Sequence, residues 1–212
     1  MAKGIFITME GPDGSGKTTQ IELLKAELEK SGYSVLITRE PGGNRISEAI
    51  REIILNKDYM EMAPATECLL YASARAQLVN EVIGPMLDKG GAVISDRFVD
   101  SSLVYQGIAR GLGVDEVFEI NRFAIREYMP DATFLLSLPA EVGISRKKDQ
   151  KELDRMEKES LEFHKKVAEG YLKLAEKYPE RIRVIDATQD VETISGLIKK
   201  QVYDILKGKV SI

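Results

Sequence analysis

The chain has 212 residues, 43% of them hydrophobic, with 30 Lys and Arg against 34 Asp and Glu for a net charge of −4. That suits one sizeable α/β domain with a buried core, and the dispersed acidic balance argues against a nucleic-acid binder, which needs a basic face or stripe. No apolar run approaches the eighteen or so residues of a membrane span, and Met-Ala-Lys-Gly leads straight into a strand with no secretory leader, so the expectation is a cytoplasmic protein.

The first predicted strand is Ile5–Met9, a short apolar run of the kind buried in parallel sheets. Gly11-Pro12-Asp13-Gly14-Ser15-Gly16-Lys17-Thr18 follows and matches the phosphate-binding pattern G-x-x-x-x-G-K-[ST]. The glycines let backbone N–H groups turn toward one phosphate, Lys17 reaches the β- and γ-phosphates, and the Thr18 hydroxyl is placed to ligate Mg²⁺. A helical pattern begins directly afterwards, with Ile21, Leu24 and Leu28 on one face. Strand, loop and helix are the context this motif requires.

The second strand, Ser34–Thr38, runs into Arg39-Glu40-Pro41-Gly42-Gly43. A helix from about residue 64 to 88 holds the single cysteine, Cys68, as a buried thiol, and Pro85 should kink or break its last turn. Ala92–Ser95 is the third strand, and Asp96-Arg97-Phe98 follows it; an Asp ending an apolar strand is placed like a Walker-B carboxylate, holding Mg²⁺ through water. Thr133–Leu138 and Arg183–Asp186 are the fourth and fifth strands. Residues 144–160 are almost wholly charged, readable either as a solvated helix face or as a lid that closes Arg and Lys over phosphates. The single histidine, His164, reads as an exposed helix position with no nucleophile or metal ligand beside it.

Strands alternating with helices argue for a parallel sheet covered on both faces. Ligands of such sheets sit at the carboxyl ends of the strands. The first three strand ends therefore place Lys17, Arg39 and Arg97 around one crevice, and phosphoryl transfer needs mainly positioning and positive charge. A nucleotide-hydrolysing switch is disfavoured: a guanine-reading N-K-x-D is missing, since Asn56-Lys57-Asp58 puts the Asp one place early. A generic ATPase would place a carboxylate where Arg97 stands, and an Arg there suits a second anion, the acceptor's phosphate.

Several strings together resemble the bacterial thymidylate kinases over nearly the whole chain. They are Glu-Gly-Pro-Asp-Gly-Ser-Gly-Lys-Thr-Thr at 10–19, Thr-Arg-Glu-Pro-Gly-Gly at 38–43, Ser-Ala-Arg at 73–75, Asp-Arg-Phe at 96–98, Ser-Ser-Leu-Val-Tyr-Gln-Gly at 101–107 and Leu-Asp-Arg-Met-Glu at 153–157. The resemblance implies a three-layer P-loop fold, a five-stranded parallel sheet in the order 2-3-1-4-5, as one domain over 1–212 with a lid at about 144–157. It implies ATP-dependent phosphorylation of dTMP, with Mg²⁺, and a homodimer through helices near 64–88 and 114–129. Kinases for other monophosphates, such as dUMP or dCMP, stand as the alternative on the same fold, with a non-enzymatic P-loop regulator further off.

Position by position, the resemblance assigns ATP to Gly11, Pro12, Asp13, Gly14, Ser15, Gly16, Lys17, Thr18 and Thr19, with Arg146 stacked on adenine and Gln189 in a loop beside it. Asp13 also meets the dTMP 3′-OH. Arg39, Arg51 and Arg97 surround the dTMP phosphate, Tyr71 stacks on thymine, Arg75 bonds the base edge with Ser102 and Gln106, Tyr105 crowds the 2′ position and Tyr171 closes the site. Glu40-Pro41 resembles a cis turn. Lys17 and Arg97 are catalytic in this scheme. With no Arg inside the phosphate loop, a transition-state cation has to come from the lid, where Lys148, Lys151 and Arg155 are the candidates; Arg155 or Lys148 is the expectation.

Overall fold

The computed structural model describes residues 4–147 and 153–210, the side chains of 144, 146, 147, 209 and 210 excepted. A strand that is apolar on both faces needs cover on both, and β1 (Ile5–Glu10) is buried at every position. Its odd-numbered residues Ile5, Ile7 and Met9 join one core cluster with Ile21, Leu24 and Leu28 of α1 (Lys17–Lys30). Phe6 points to the opposite face and a second cluster. By the same alternation Thr8 and Glu10, both buried, lie on the Phe6 face.

The chain continues through β2 (Val35–Arg39), α2 (Arg45–Leu55) and α3 (Pro64–Leu78). Asn44 caps α2, its Oδ1 accepting from the Ser47 N–H at 2.8 Å. Pro85 does not break the helix after α3. A π-helical turn at Val79–Ile83, in which the Gly84 N–H donates to the Val79 carbonyl, carries the axis into α4 (Gly84–Asp88). Then come β3 (Ala92–Asp96), α5 (Val99–Ser102) with a π-helical continuation at Leu103–Ala109, and α6 (Val114–Ile125). The rest is β4 (Ala132–Ser137), α7 (Ala140–Lys147), α8 (Leu161–Lys177), β5 (Ile182–Asp186) and α9 (Val191–Val210).

All strand pairings are parallel, in the order β2-β3-β1-β4-β5, the expected architecture. Each strand differs by a residue or so from its expected bounds, and pairing explains why. Arg39 and Asp96 are register partners, so β2 and β3 both reach their charged ends. Ser137 pairs with Asp186, the last step of the β4–β5 ladder, and Leu138 falls outside the strand. Helices α1 and α9 cover one face, and residues of α3, α6 and α8 pack on the other. The sheet order reverses around β1, whose carboxyl end opens into the crevice where such sheets bind ligands.

Candidate active site

Gly11 stands at φ +132°, and a Cβ there would lie 2.4 Å from the Leu136 carbonyl oxygen. Only glycine lets the loop leave β1 so close to β4. Gly16, in the left-handed region at φ +91°, opens α1, and no acidic side chain occupies the first turn of that helix. Its N-terminal N–H groups therefore face the loop with no competing carboxylate, the arrangement that binds phosphate. Lys17 Nζ donates to the carbonyls of Gly11 and Pro12, both at 3.2 Å. Burial, then the nearby Arg97 charge, lowers its pKa to about 8.

From the loop a cavity of about 520 Å³ runs between the strand ends and α3, within the size range of small-molecule sites. Asp13, Lys17, Thr18, Thr19, Arg39, Arg51, Tyr71, Arg75, Asp96, Arg97, Ser102, Tyr105 and Gln106 all line it. The structure thus brings the phosphate loop and nearly all the expected acceptor residues to one space. Tyr171 stands behind that lining, 2% exposed, its ring edge-on to Tyr105. Gln189 is exposed in the loop after β5. Lys148, Lys151 and the side chain of Arg146 lie outside the described residues.

Arg97 is the centre of charge. It leaves β3 at φ +67°, a conformation that costs a side-chain-bearing residue about 1 kcal/mol or more. Its Nη2 donates to Asp13 Oδ1 at 2.7 Å and its Nη1 to the Tyr171 hydroxyl at 3.3 Å and Ser101 Oγ at 3.4 Å. The guanidinium also lies 5.5 Å from the centre of the Tyr105 ring. Arg39 is held by Glu48, which accepts from Nη2 with both oxygens at 2.9 and 3.0 Å. Arg51 donates to the Pro41 carbonyl at 2.8 Å, beyond a Glu40–Pro41 peptide that is cis.

Arg75 is more tightly engaged than a base-reading residue alone would be. Its Nε and Nη2 donate to Glu40 Oε2 at 2.8 and 2.5 Å, Nη2 to the Phe98 carbonyl at 3.1 Å, and Nη1 to Ser102 Oγ at 3.1 Å and to Asn121 Oδ1. All five N–H donors have protein partners, so a base edge gains one only by displacing Ser102, Asn121 or the carbonyl. Glu40 is itself buried, and burial raises its pKa to about 7 against the pull of Arg75.

Arg155 is placed away from the cavity, 2% exposed. It is ion-paired to the fully buried Glu67 at 2.7 Å, and it donates from Nε to the Ile54 carbonyl at 2.6 Å and from its backbone N–H to Leu55 at 3.1 Å. Glu67 also accepts from Gln106 at 2.9 Å and from Arg110 at 3.1 and 3.0 Å. Here Arg155 anchors the chain beyond the charged stretch, paired to Glu67 and outside the cavity lining. Arg155→Ala should lower the melting temperature by roughly 5 °C, about 2 kcal/mol softened by the remaining Arg110 contact, with kcat within about threefold. Thermal melting and steady-state kinetics check this; a folded variant with kcat down a hundredfold would return Arg155 to the transition state.

His164 corrects the expectation of an exposed position. It is half-buried, lines the cavity, and packs edge-on against Phe163, ring centres 5.9 Å apart. The inward face of α8 carries it there beside Phe163 and Val167. Sequence reasoning also missed Glu48 and Asn121, which accept from Arg39 and Arg75, Glu67 with its partner Arg110, and Glu10, which accepts from Ser101 and Tyr171 beside Arg97. The available signal was Glu10 closing an otherwise apolar strand, because a buried carboxylate must find donors.

A phosphate loop that opens into an arginine-lined pocket defines a nucleotide phosphotransferase of the nucleoside monophosphate kinase class. The thymidylate kinase family model matches residues 9–198. The chain is 51% identical over 201 residues to the thymidylate kinase of Clostridium novyi, covering 94% of this chain and 98% of that protein. It is 50% identical over 209 residues to that of a Geobacillus species, covering 98% and 100%. The crystal structure of thymidylate kinase from Ehrlichia chaffeensis superposes with a TM-score of 0.75 at 30% identity, covering 95% and 99%. The chain belongs to the thymidylate kinase family and is an enzyme.

Proposed function

We propose the following division of labour in a chain whose family activity is ATP-dependent phosphorylation of dTMP to dTDP. Gly11, Gly14, Gly16 and the first N–H groups of α1 cradle the ATP phosphates, with Lys17 on the β- and γ-oxygens. Arg97 faces both nucleotides, neutralising the phosphoryl group in flight, and Arg39 and Arg51 grip the acceptor phosphate. Tyr71 offers its ring to the base, Ser102 and Gln106 with Arg75 the polar edge, Asp13 the 3′-OH, and Tyr105 a wall against a 2′-OH. The observation that carries this reading is the continuous cavity joining the phosphate loop to Tyr71, Arg75, Tyr105 and Gln106.

The donor set suits Mg²⁺. Asp96 Oδ1 is buried without a hydrogen-bond partner among the described residues, and Thr18 lines the same cavity. Thr18 and, through water, Asp96 would hold the ion, which when bound neutralises β- and γ-phosphate charge.

A panel of monophosphates assayed by ADP release tests the substrate. Thymine differs from uracil by one methyl group, worth roughly 1–3 kcal/mol, so kcat/KM for dUMP should be about 10- to 200-fold below that for dTMP. The ribose counterpart of dTMP should fare worse, since in this reading Tyr105 crowds the 2′ position. Equal turnover of dCMP would overturn the base assignment, and no turnover of any acceptor would overturn the reading altogether.

The whole chain is read as one kinase domain with residues 144–157 as its lid, working in the cytoplasm, where ATP and deoxynucleotides are pooled. No described helix is long and apolar enough to cross a membrane. The same reading makes the enzyme a homodimer. Helices α3 and α6 pack side by side and leave Leu69, Ile120 and Phe123 in the open, Phe123 at 88% exposure; an apolar patch of this kind marks a protein interface. Sedimentation equilibrium should give the mass of two chains, and a monomer at micromolar concentration would refute the dimer.

A further inference from the structure

Glu10 is a fully buried carboxylate that none of the roles above uses. It ends β1 on the face toward α8, immediately before the phosphate loop. Its partners are neutral donors. Oε1 accepts from the backbone N–H groups of Phe98 at 2.8 Å and Ser101 at 3.3 Å. Oε2 accepts from the hydroxyls of Ser101 at 2.6 Å and Tyr171 at 2.7 Å. Burial, with Asp100 close by, opposes its charge. A carboxylate kept in such a place, with no arginine or lysine among these partners, is costly.

What the four donors have in common is Arg97. Phe98 follows it in the chain, and both hydroxyls receive its Nη1. The two hydroxyls also lie 2.9 Å from each other, so their two hydrogens are shared between Glu10 Oε2 and that contact, and oxygen lone pairs are left facing the guanidinium. The backbone at Arg97, at φ +67°, is pinned from the other side by its own N–H on the Met9 carbonyl at 3.0 Å and by Ser95 Oγ on its carbonyl at 2.6 Å.

We propose that Glu10 is a positioning residue for the transfer step: it clamps the Phe98–Ser101 backbone and orients the Ser101 and Tyr171 hydroxyls, so that the Arg97 guanidinium is held aimed into the site in its unfavourable backbone conformation. This rests on Arg97 being the cation that meets the transferring phosphoryl group. An acceptor-only group is required at the end of β1. A glutamine there would present two N–H donors to hydroxyls that must themselves donate, and would turn those hydrogens toward Arg97.

The test is a double-mutant cycle on the full chain. Glu10→Gln should lower kcat about 10- to 100-fold, the loss expected when a catalytic group is misplaced by about an ångström, with KM for ATP within about twofold because Lys17 and the loop are untouched. In an Arg97→Ala background the same change should alter kcat less than about twofold, since Glu10 acts only through Arg97. A merely structural role would lower kcat equally in both backgrounds, and that result overturns the proposal. So does a folded Glu10→Gln enzyme within about threefold of the parent when Arg97→Ala is crippled, which leaves the Arg97 reading intact. If Arg97→Ala is itself near parental activity, the Arg97 reading fails and this one with it. Should Glu10→Gln not fold, as judged by circular dichroism, Tyr171→Phe and Ser101→Ala decide: each removes one oriented hydroxyl, and each should show the same kcat loss and the same disappearance in the Arg97→Ala background.

Discussion

Arg97→Ala should lower kcat about a thousandfold and leave the melting temperature within a few degrees of the parent protein. The first half follows from charge. Catalysis of phosphoryl transfer is positioning and neutralisation, and loss of a preorganised cation or donor costs about 10²–10³ or more in rate; a thousandfold is about 4 kcal/mol of barrier. The second half follows from exposure. The main protein partner of Arg97 is Asp13 at 2.7 Å, and with Asp13 40% and Arg97 17% exposed, losing this partly open pair costs about 1 kcal/mol. The catalytic effect therefore exceeds the structural one several-fold. Arg97→Lys keeps the charge without the fork and should fall between the two. Steady-state kinetics with a parallel thermal melt separates the terms; a kcat within tenfold of the parent would remove Arg97 from the chemistry.

Arg75→Ala should do the opposite, acting first on stability. It strands Glu40, whose Oε1 already lacks a hydrogen-bond partner among the described residues, and it leaves Ser102 and Asn121 without their donor. Breaking a buried pair costs about 3–5 kcal/mol, on the order of 10 °C in a chain of this size. KM for dTMP should rise as Ser102 loses its orientation. The loss should depend on pH. Burial holds the folded-state pKa of Glu40 at about 7, above the ordinary glutamate value of 4.5. The folded protein therefore binds more protons than the unfolded chain in that window, and this group's contribution to stability is present below 4.5 and lost as pH rises through 7. Without Arg75 the window extends upward, so Arg75→Ala should suffer more at pH 8 than at pH 5. Adding Glu40→Gln should recover part of the loss and most of its pH dependence. Denaturant titrations at the two pH values check this; a variant as stable as the parent at pH 8 would refute it.

The two arginines were equally visible as residues, yet nothing local distinguished them. Arg75 sits mid-helix and Arg97 follows a strand, and their partners lie 35 and 84 positions away, at Glu40 and Asp13. Arg155 misleads for the same reason. Its place in a charged stretch suggested a phosphate ligand, whereas its partner Glu67 lies in α3 and is fully buried. His164 looked exposed because its neighbours in sequence are charged, while the inward turn of α8 set it against the cavity.

By itself the amino-acid sequence determined the alternation of strands and helices, the phosphate loop and the strings that mark the family, and the order of the parallel strands came only through that resemblance. These follow from short-range causes: apolar runs of strand length, glycines where the backbone must turn, and strings of residues whose spacing carries a mechanism. Tertiary structure alone decided which charges face the cavity and which are neutralised behind it. That choice depends on burial and on donors brought together from distant segments, as when Glu10 meets Ser101 and Tyr171 across 91 and 161 positions. A buried charge survives only where such partners converge, and no local pattern records that convergence.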